Sequence, residues 1–175
     1  KIDPMFEPCY CNRISTYCEM GDHDSAELMF YLARQIKAEC PQCHYHVGTS
    51  LFARGLYQRA IRSWEETRRL DPRHPDANVR IAEAYWAMGD LKTSRRHYEE
   101  EVRRFPDDVD LLLDYGDLLA EMDLAPEARA MFRRALDITP DHAGAHFSLG
   151  ELALRKGGLA EAEEMFRVVL QLDEK

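Results

Sequence analysis

The sequence predicts an all-α chain of repeated antiparallel helix pairs, on three observations. Pro72, Pro106 and Pro140 stand 34 residues apart, and Gly21, Gly55, Gly89 and Gly157 keep the same period with Asp123 at the missing step. On the same ruler a small residue recurs at Ala26, Ala60, Ser94, Ala128 and Ala162, followed four residues later by Phe30, Trp64, Tyr98, Phe132 and Phe166. Between these markers apolar residues return at steps of three and four, the spacing of one helical face, and no alternation of strand length competes with it.

Each unit reads as two helices. A glycine-centred turn such as Gly55-Leu56 or Gly89-Asp90 separates them, because glycine adopts the left-handed backbone that ends a helix. The proline that follows stops the second helix, having no N–H to continue its ladder. Small residues at Gly48, Ala82, Gly116 and Gly150, preceded by Val47, Ile81, Tyr115 and Leu149, let two helices approach closely. The aromatics are expected to fill the space between neighbouring hairpins. In chain order the units are 7–40, 41–74, 75–108, 109–142 and 143–175, the last ending one residue short. Ahead of them Lys1 to Pro4 precede Met5, so residues 1–6 read as a leader or cloning remnant, although an excised fragment would look the same.

Composition narrows the class. Across 175 residues, 45% are apolar and 31% charged, too much apolar content for a disordered chain. No apolar run reaches the roughly 18 residues that span a bilayer, so direct membrane insertion is not expected. The net charge of -9 repels phosphate backbones at long range, which argues against a nucleic-acid partner. With Met5 as the start nothing directs export, and a cytoplasmic location with reduced thiols is the expectation for the five cysteines.

Val47-Gly48, Leu51, Gly55, Tyr57, Ala60, Trp64 and Asp71-Pro72 stand where the tetratricopeptide repeat family places such residue types, and the chain resembles that family over about 7–175. The first unit departs from the pattern: Arg13 and Ile14 replace the usual large-small pair and Ala38 stands where the terminal proline belongs, which suggests a modified end cap. The resemblance implies a right-handed superhelical solenoid whose first helices line a concave groove. Projected onto this chain, the groove positions include Tyr45, Thr49 and Phe52, then Arg80, Glu83 and Trp86, then Asp114, Asp117 and Glu121, then Phe147 and Glu151. Across all projected positions eight acids (Glu19, Asp76, Glu83, Asp110, Asp114, Asp117, Glu121, Glu151) meet two bases (Arg80, Arg155). The family's clamp for acidic carboxyl termini uses Lys and Asn. Here Cys11, Ser15, Tyr45 and Thr49 hold those places, with only Asn12 and Arg80 echoing it, so that ligand class is rejected.

Catalytic signatures are scarce: the chain has no glycine-rich phosphate loop, no His-Glu-x-x-His pair and no Gly-x-Ser-x-Gly elbow. The unusual feature is the cysteines. Cys9 and Cys11 begin the first helix, while Cys40 and Cys43 lie where the second helix ends and the third begins, places that an antiparallel hairpin makes neighbours. Two thiol pairs converging there would suit a tetrahedral zinc site, with Cys18 two turns along and out of reach. Cys40-Pro-Gln-Cys43-His44 also matches a redox pair at a helix start and, formally, a haem attachment pattern, while plain packing of buried thiols, and no cofactor, is the simplest account. His44 and His146 occupy a position that the family buries, and both read as packing histidines.

The expected function is a non-enzymatic scaffold that binds a peptide or partner protein, in particular a Lys/Arg-bearing segment drawn to the acidic, aromatic groove. Alternatives are a metal- or redox-responsive module built on the amino-terminal cysteines, or a targeting appendage of a larger enzyme. The arginines of the second helices (Arg62, Arg68, Arg69, Arg95, Arg96, Arg103, Arg104) offer a competing face. Self-association is expected through the carboxyl-terminal repeat, where Phe166, Val169 and Leu170 lack a covering neighbour.

Overall fold

The computed structural model describes residues 7–35 and 40–173, with side chains for 10–35 and 40–172. The stretch 1–6 and Ala38 lie outside the described residues. Among those described there are helices and no strand: α1 (Glu7–Glu19), α2 (His23–Gln35), α3 (Pro41–Ala53), α4 (Tyr57–Leu70), α5 (Ala77–Ala87), α6 (Leu91–Arg104), α7 (Val109–Glu121), α8 (Ala125–Ile138), α9 (Ala143–Arg155) and α10 (Leu159–Asp173). They form two compact units, Lys1–Asp90 and Leu91–Lys175, and the division falls inside the stretch 75–108.

The turns follow the glycine ruler. Gly21, Gly55, Gly89 and Gly157 all have positive φ, from 71° to 79°, and Asp123 at the missing step adopts the same left-handed backbone at 61°. An L residue carries a steric cost there, and Asp is one of the few types that tolerates it. Its carboxylate also accepts from Lys156 Nζ at 2.5 Å. Helix starts are capped locally: the Asp108 carboxylate accepts from Leu111 N at 3.1 Å and His142 Nδ1 from Ala145 N at 3.2 Å.

In the first unit Ile14, Ala26, Cys43, Val47, Leu51, Ala60, Ile61, Trp64 and Ile81 make one buried cluster. The aromatics divide: Phe30 and Tyr98 meet rings of the following hairpin, His44 and Tyr115, as expected, while Trp64, Phe132 and Phe166 sink into slots of their own hairpins. Trp64 lies over Gly48 of its own hairpin, so close that a Cβ at position 48 would stand 2.5 Å from Trp64 Nε1. The second unit repeats this: a Cβ at Gly116 would meet Phe132 at 2.3 Å, and one at Gly150 would meet Phe166 at 2.6 Å. A missing side chain on the first helix opens a slot into which the ring of the second helix sinks, so the ring packs within the hairpin and not chiefly between hairpins. The first hairpin has no such slot. Ile14 stands at that register, fully buried, and Phe30 is only half-buried, its ring meeting the His44 ring edge-on at 4.9 Å.

The second unit buries Leu111, Leu112, Leu118 and Leu119 of α7 with Ala128, Phe132 and Ala135 of α8 and Ala145 and Leu149 of α9. Tyr98 stacks on Tyr115 with centroids 5.9 Å apart, and the Tyr115 hydroxyl donates to Glu99 Oε1 at 3.2 Å. Burial, aided by the nearby Glu99 carboxylate, pushes that phenol up to about 12.

Candidate functional site

The sharpest surface feature is on α7. Asp110, Asp114, Asp117 and Glu121 follow one another at steps of four, three and four, which aligns them along one helical face. The helix has no Lys or Arg, and its opposite face supplies the buried leucines. Glu121 is exposed and Asp114 half-buried, while Asp117 is exposed as a residue but has its carboxyl partly desolvated against α9. The adjoining α9 brings Glu151 and Ser148 toward Asp117. Burial, and then Glu151, push the Asp117 carboxyl above its usual range, while the Ser148 hydroxyl, which donates to it, and Arg155 pull the other way. Phe147, also on α9, is 47% exposed, its ring 5.6 Å from that of Phe166.

In the first unit the expected residues come from α3 and α5. Arg80 Nε donates to the Tyr45 hydroxyl at 3.4 Å and Arg80 Nη1 to Glu83 Oε2 at 2.8 Å. Burial alone would lower this guanidinium, but those two partners outweigh it and hold it firmly charged. Arg80 is thus engaged by its own neighbours. The Tyr45 ring rests on His74, centroids 4.6 Å apart, and His74 Nε2 pairs with Gln42 Oε1 at 2.8 Å. The sequence pattern does not single out His74. It sits in the Asp71-Pro-Arg-His-Pro linker between helices, where composition signals a turn and gives no hint of burial. Thr49 donates to the Tyr45 carbonyl at 3.1 Å. Phe52 leans on Tyr57 and Trp64, with centroids 5.2 and 5.9 Å away, so most of its ring serves the hairpin core. Trp86 is half-buried.

Part of the competing arginine face pairs with local acids. Arg95 donates to Glu99 and Glu127, each at 2.8 Å, Arg69 to Glu66 at 2.7 Å and Arg104 to Glu101 at 2.6 Å. Arg68 donates to the buried Asn78 carbonyl oxygen at 2.8 Å.

Of the four cysteines expected to converge, the structure brings three together. Cys11 of α1 contacts both Cys40 and Cys43 through its sulfur, and all three sulfurs lie within 4.8 Å of one another. Cys9 lies outside the described side chains. Cys18 is elsewhere: its thiol donates to the His46 carbonyl at 3.3 Å, and burial pushes it above the ordinary thiol value. His44 is buried against Phe30, while His146 is half-buried and its Nε2 bonds the Pro140 carbonyl at 2.9 Å.

A family model for the tetratricopeptide repeat matches residues 45–108, 79–142 and 116–175. Among solved structures, the MamA fragment from Desulfovibrio magneticus RS-1 aligns with a TM-score of 0.82 at 24% identity, over 96% of this chain and 95% of that one. YrrB, described as a tetratricopeptide repeat protein with an unusual peptide-binding site, aligns at 0.73 with 17% identity over 95% and 86% of the two chains. At such identities the likeness establishes the fold alone. Two human proteins are also similar. Protein O-mannosyl-transferase TMTC2 is 28% identical over 107 residues, 59% of this chain and 13% of that protein, and TMTC3 is 21% identical over 175 residues, 91% and 19%. The chain spans less than a fifth of the length of either.

Proposed function

The chain belongs to the tetratricopeptide repeat family, whose members typically mediate protein–protein interaction, and from that membership we propose that it is a non-enzymatic scaffold whose acidic α7–α9 face binds a Lys/Arg-bearing peptide segment. The acid stripe on α7 carries this reading. Four carboxylates on one face of a helix without a base create a field that attracts a cationic segment over several ångströms. The exposed Phe147, one turn before Glu151 on α9, would supply apolar and cation-π contact for the stems and heads of Lys or Arg. The first-unit positions fit an auxiliary contact better than the anchor, because Arg80 already pairs with Glu83 and Phe52 serves the core.

The test is a binding titration with fluorescent Lys/Arg-bearing peptides against the full chain. Binding is expected to weaken with salt, since exposed charges are screened beyond about 10 Å at 0.1 M, and to persist in part through the aromatic contact. Asp114→Lys with Asp117→Lys should slow association, and Phe147→Ala should mainly speed dissociation. If a peptide binds both variants as well as the parent and instead loses affinity when Arg95 and Arg96 are replaced, the face is the wrong one.

A second reading is favoured by the curated relatives, both named as transferases and both far longer than the matched stretch: the repeats would serve as an accessory segment of a larger enzyme. Sequencing the complete gene separates the two.

A further inference from the structure

We propose that Cys11, Cys40 and Cys43 are thiolate ligands of a structural zinc ion that pins α1 to the start of α3. The three residues come from two helices separated by 29 and 32 residues of chain, yet their sulfurs share one small volume inside the first unit. Cys43 is 0% and Cys40 8% exposed, and Cys11 is half-buried, so the cluster lies largely out of solvent.

Cys40 caps α3. It sits in extended backbone at φ -124°, Pro41 opens the helix, and the Cys43 N–H donates to Cys40 Sγ at 3.2 Å. The same Cys-x-x-Cys turn presents its two sulfurs side by side, 2.9 Å apart, facing α1. Rotation of the side chains opens such a cluster to the about 3.8 Å that separates two sulfurs on a tetrahedral ion with bonds of about 2.3 Å.

Disulfide chemistry accounts for the arrangement less completely. A sulfur accepts one disulfide partner, whereas Cys11 reaches two. Its Cα lies 5.1 Å from that of Cys43, within the range of a disulfide, but 7.6 Å from that of Cys40, beyond it. A disulfide would therefore use two thiols and leave the third, while a metal ion engages all three. Each thiol that binds releases its proton as the sulfur–zinc bond forms, so three protons leave as the site fills. Three thiolates leave one position of a tetrahedral zinc ion to a further ligand. Soft thiolate donors in tetrahedral geometry select zinc over the hard divalent cations.

The full chain, purified under reducing conditions without chelator or added metal, is expected to carry about one zinc by elemental analysis. Cobalt exchanged into the site should show the charge-transfer absorption of thiolate–cobalt bonds. Cys43→Ser and Cys11→Ser should lower metal affinity by about tenfold or more, whereas Cys18→Ser, whose thiol bonds the His46 carbonyl, should retain it. Should a serine variant fail to fold, the wild-type chain stripped by chelation supplies the second measurement: added zinc should raise its melting temperature, and cobalt should restore the absorption. Reduced wild-type protein that contains no zinc and gives no thiolate–cobalt absorption overturns the proposal. So does a native Cys11–Cys43 disulfide that persists, by mass mapping, when the protein is isolated with zinc present.

Discussion

At residue 48 one missing methyl group decides how a hairpin packs. A Cβ there would stand 2.5 to 2.8 Å from three atoms of Trp64, which is fully buried and donates its indole N–H to the Tyr45 carbonyl at 3.1 Å. At Gly55 a Cβ would meet nothing within 4 Å, and only the positive φ of 74° opposes it. Gly48→Ala is therefore expected to destabilise by about 1–3 kcal/mol through overpacking and Gly55→Ala by about 1–2 kcal/mol through backbone strain. Stability alone does not tell the two mechanisms apart. In a Trp86→Phe background, the emission of Trp64 should shift for Gly48→Ala and stay in place for Gly55→Ala; equal spectra would mean that the added methyl is accommodated without moving the ring. The ruler that found Gly48 and Trp64 in the sequence correctly marked both as special. It did not show that they touch, because periodicity identifies equivalent positions without saying which pair shares a slot. Asp123 was legible for the same reason as the glycines, as the one non-glycine in their register that tolerates the left-handed backbone.

The element that matters most is α7, where the two faces do opposite work: leucines bury inward and carboxylates line the surface. That amphipathicity was readable from the three- and four-residue steps, and so was the acid excess. The desolvation of the Asp117 carboxyl, with Glu151 nearby, was not, since it depends on direct packing of α7 against α9, which lie far apart in sequence. It has a pH consequence. Because the Asp117 carboxyl is raised above its unfolded value, the folded chain binds that proton more tightly, so its contribution to stability grows as pH falls through the window just above the ordinary Asp value of about 3.9. Asp117→Asn should flatten this part of the profile and stabilise the protein slightly at neutral pH, as read from urea midpoints at several pH values. Peptide binding should move oppositely, weakening over the same window as the stripe loses a charge. Parallel behaviour of the two would show that Asp117 acts on folding only. The cysteines illustrate the complementary case: their spacing suggested a meeting of the first and third helices, and the fold joins Cys11, Cys40 and Cys43, but sequence could not say that Cys18 would turn to a carbonyl on α3.

For the molecule as a whole, charge and apolar surface make opposing demands on association. Net charge of -9 holds copies apart at low salt. On α9 and α10, however, Leu154, Leu159 and Leu170 are 50%, 69% and 65% exposed and line one depression with Ala162 and Phe166. We propose that two copies pair through this patch, since isologous pairing of two such patches would close a dimer without further growth. Added salt screens the repulsion between copies while leaving the apolar contact intact, so dimerisation should strengthen with ionic strength. The acidic-face binding proposed above should weaken along the same axis, which lets one salt series separate the two surfaces. Sedimentation at rising concentration and salt is expected to show a monomer passing to a dimer, and Leu170→Glu should hold the chain monomeric by placing two charges in the contact. A monomer throughout, indifferent to that substitution, would mean that the exposed leucines of α9 and α10 do not join two copies.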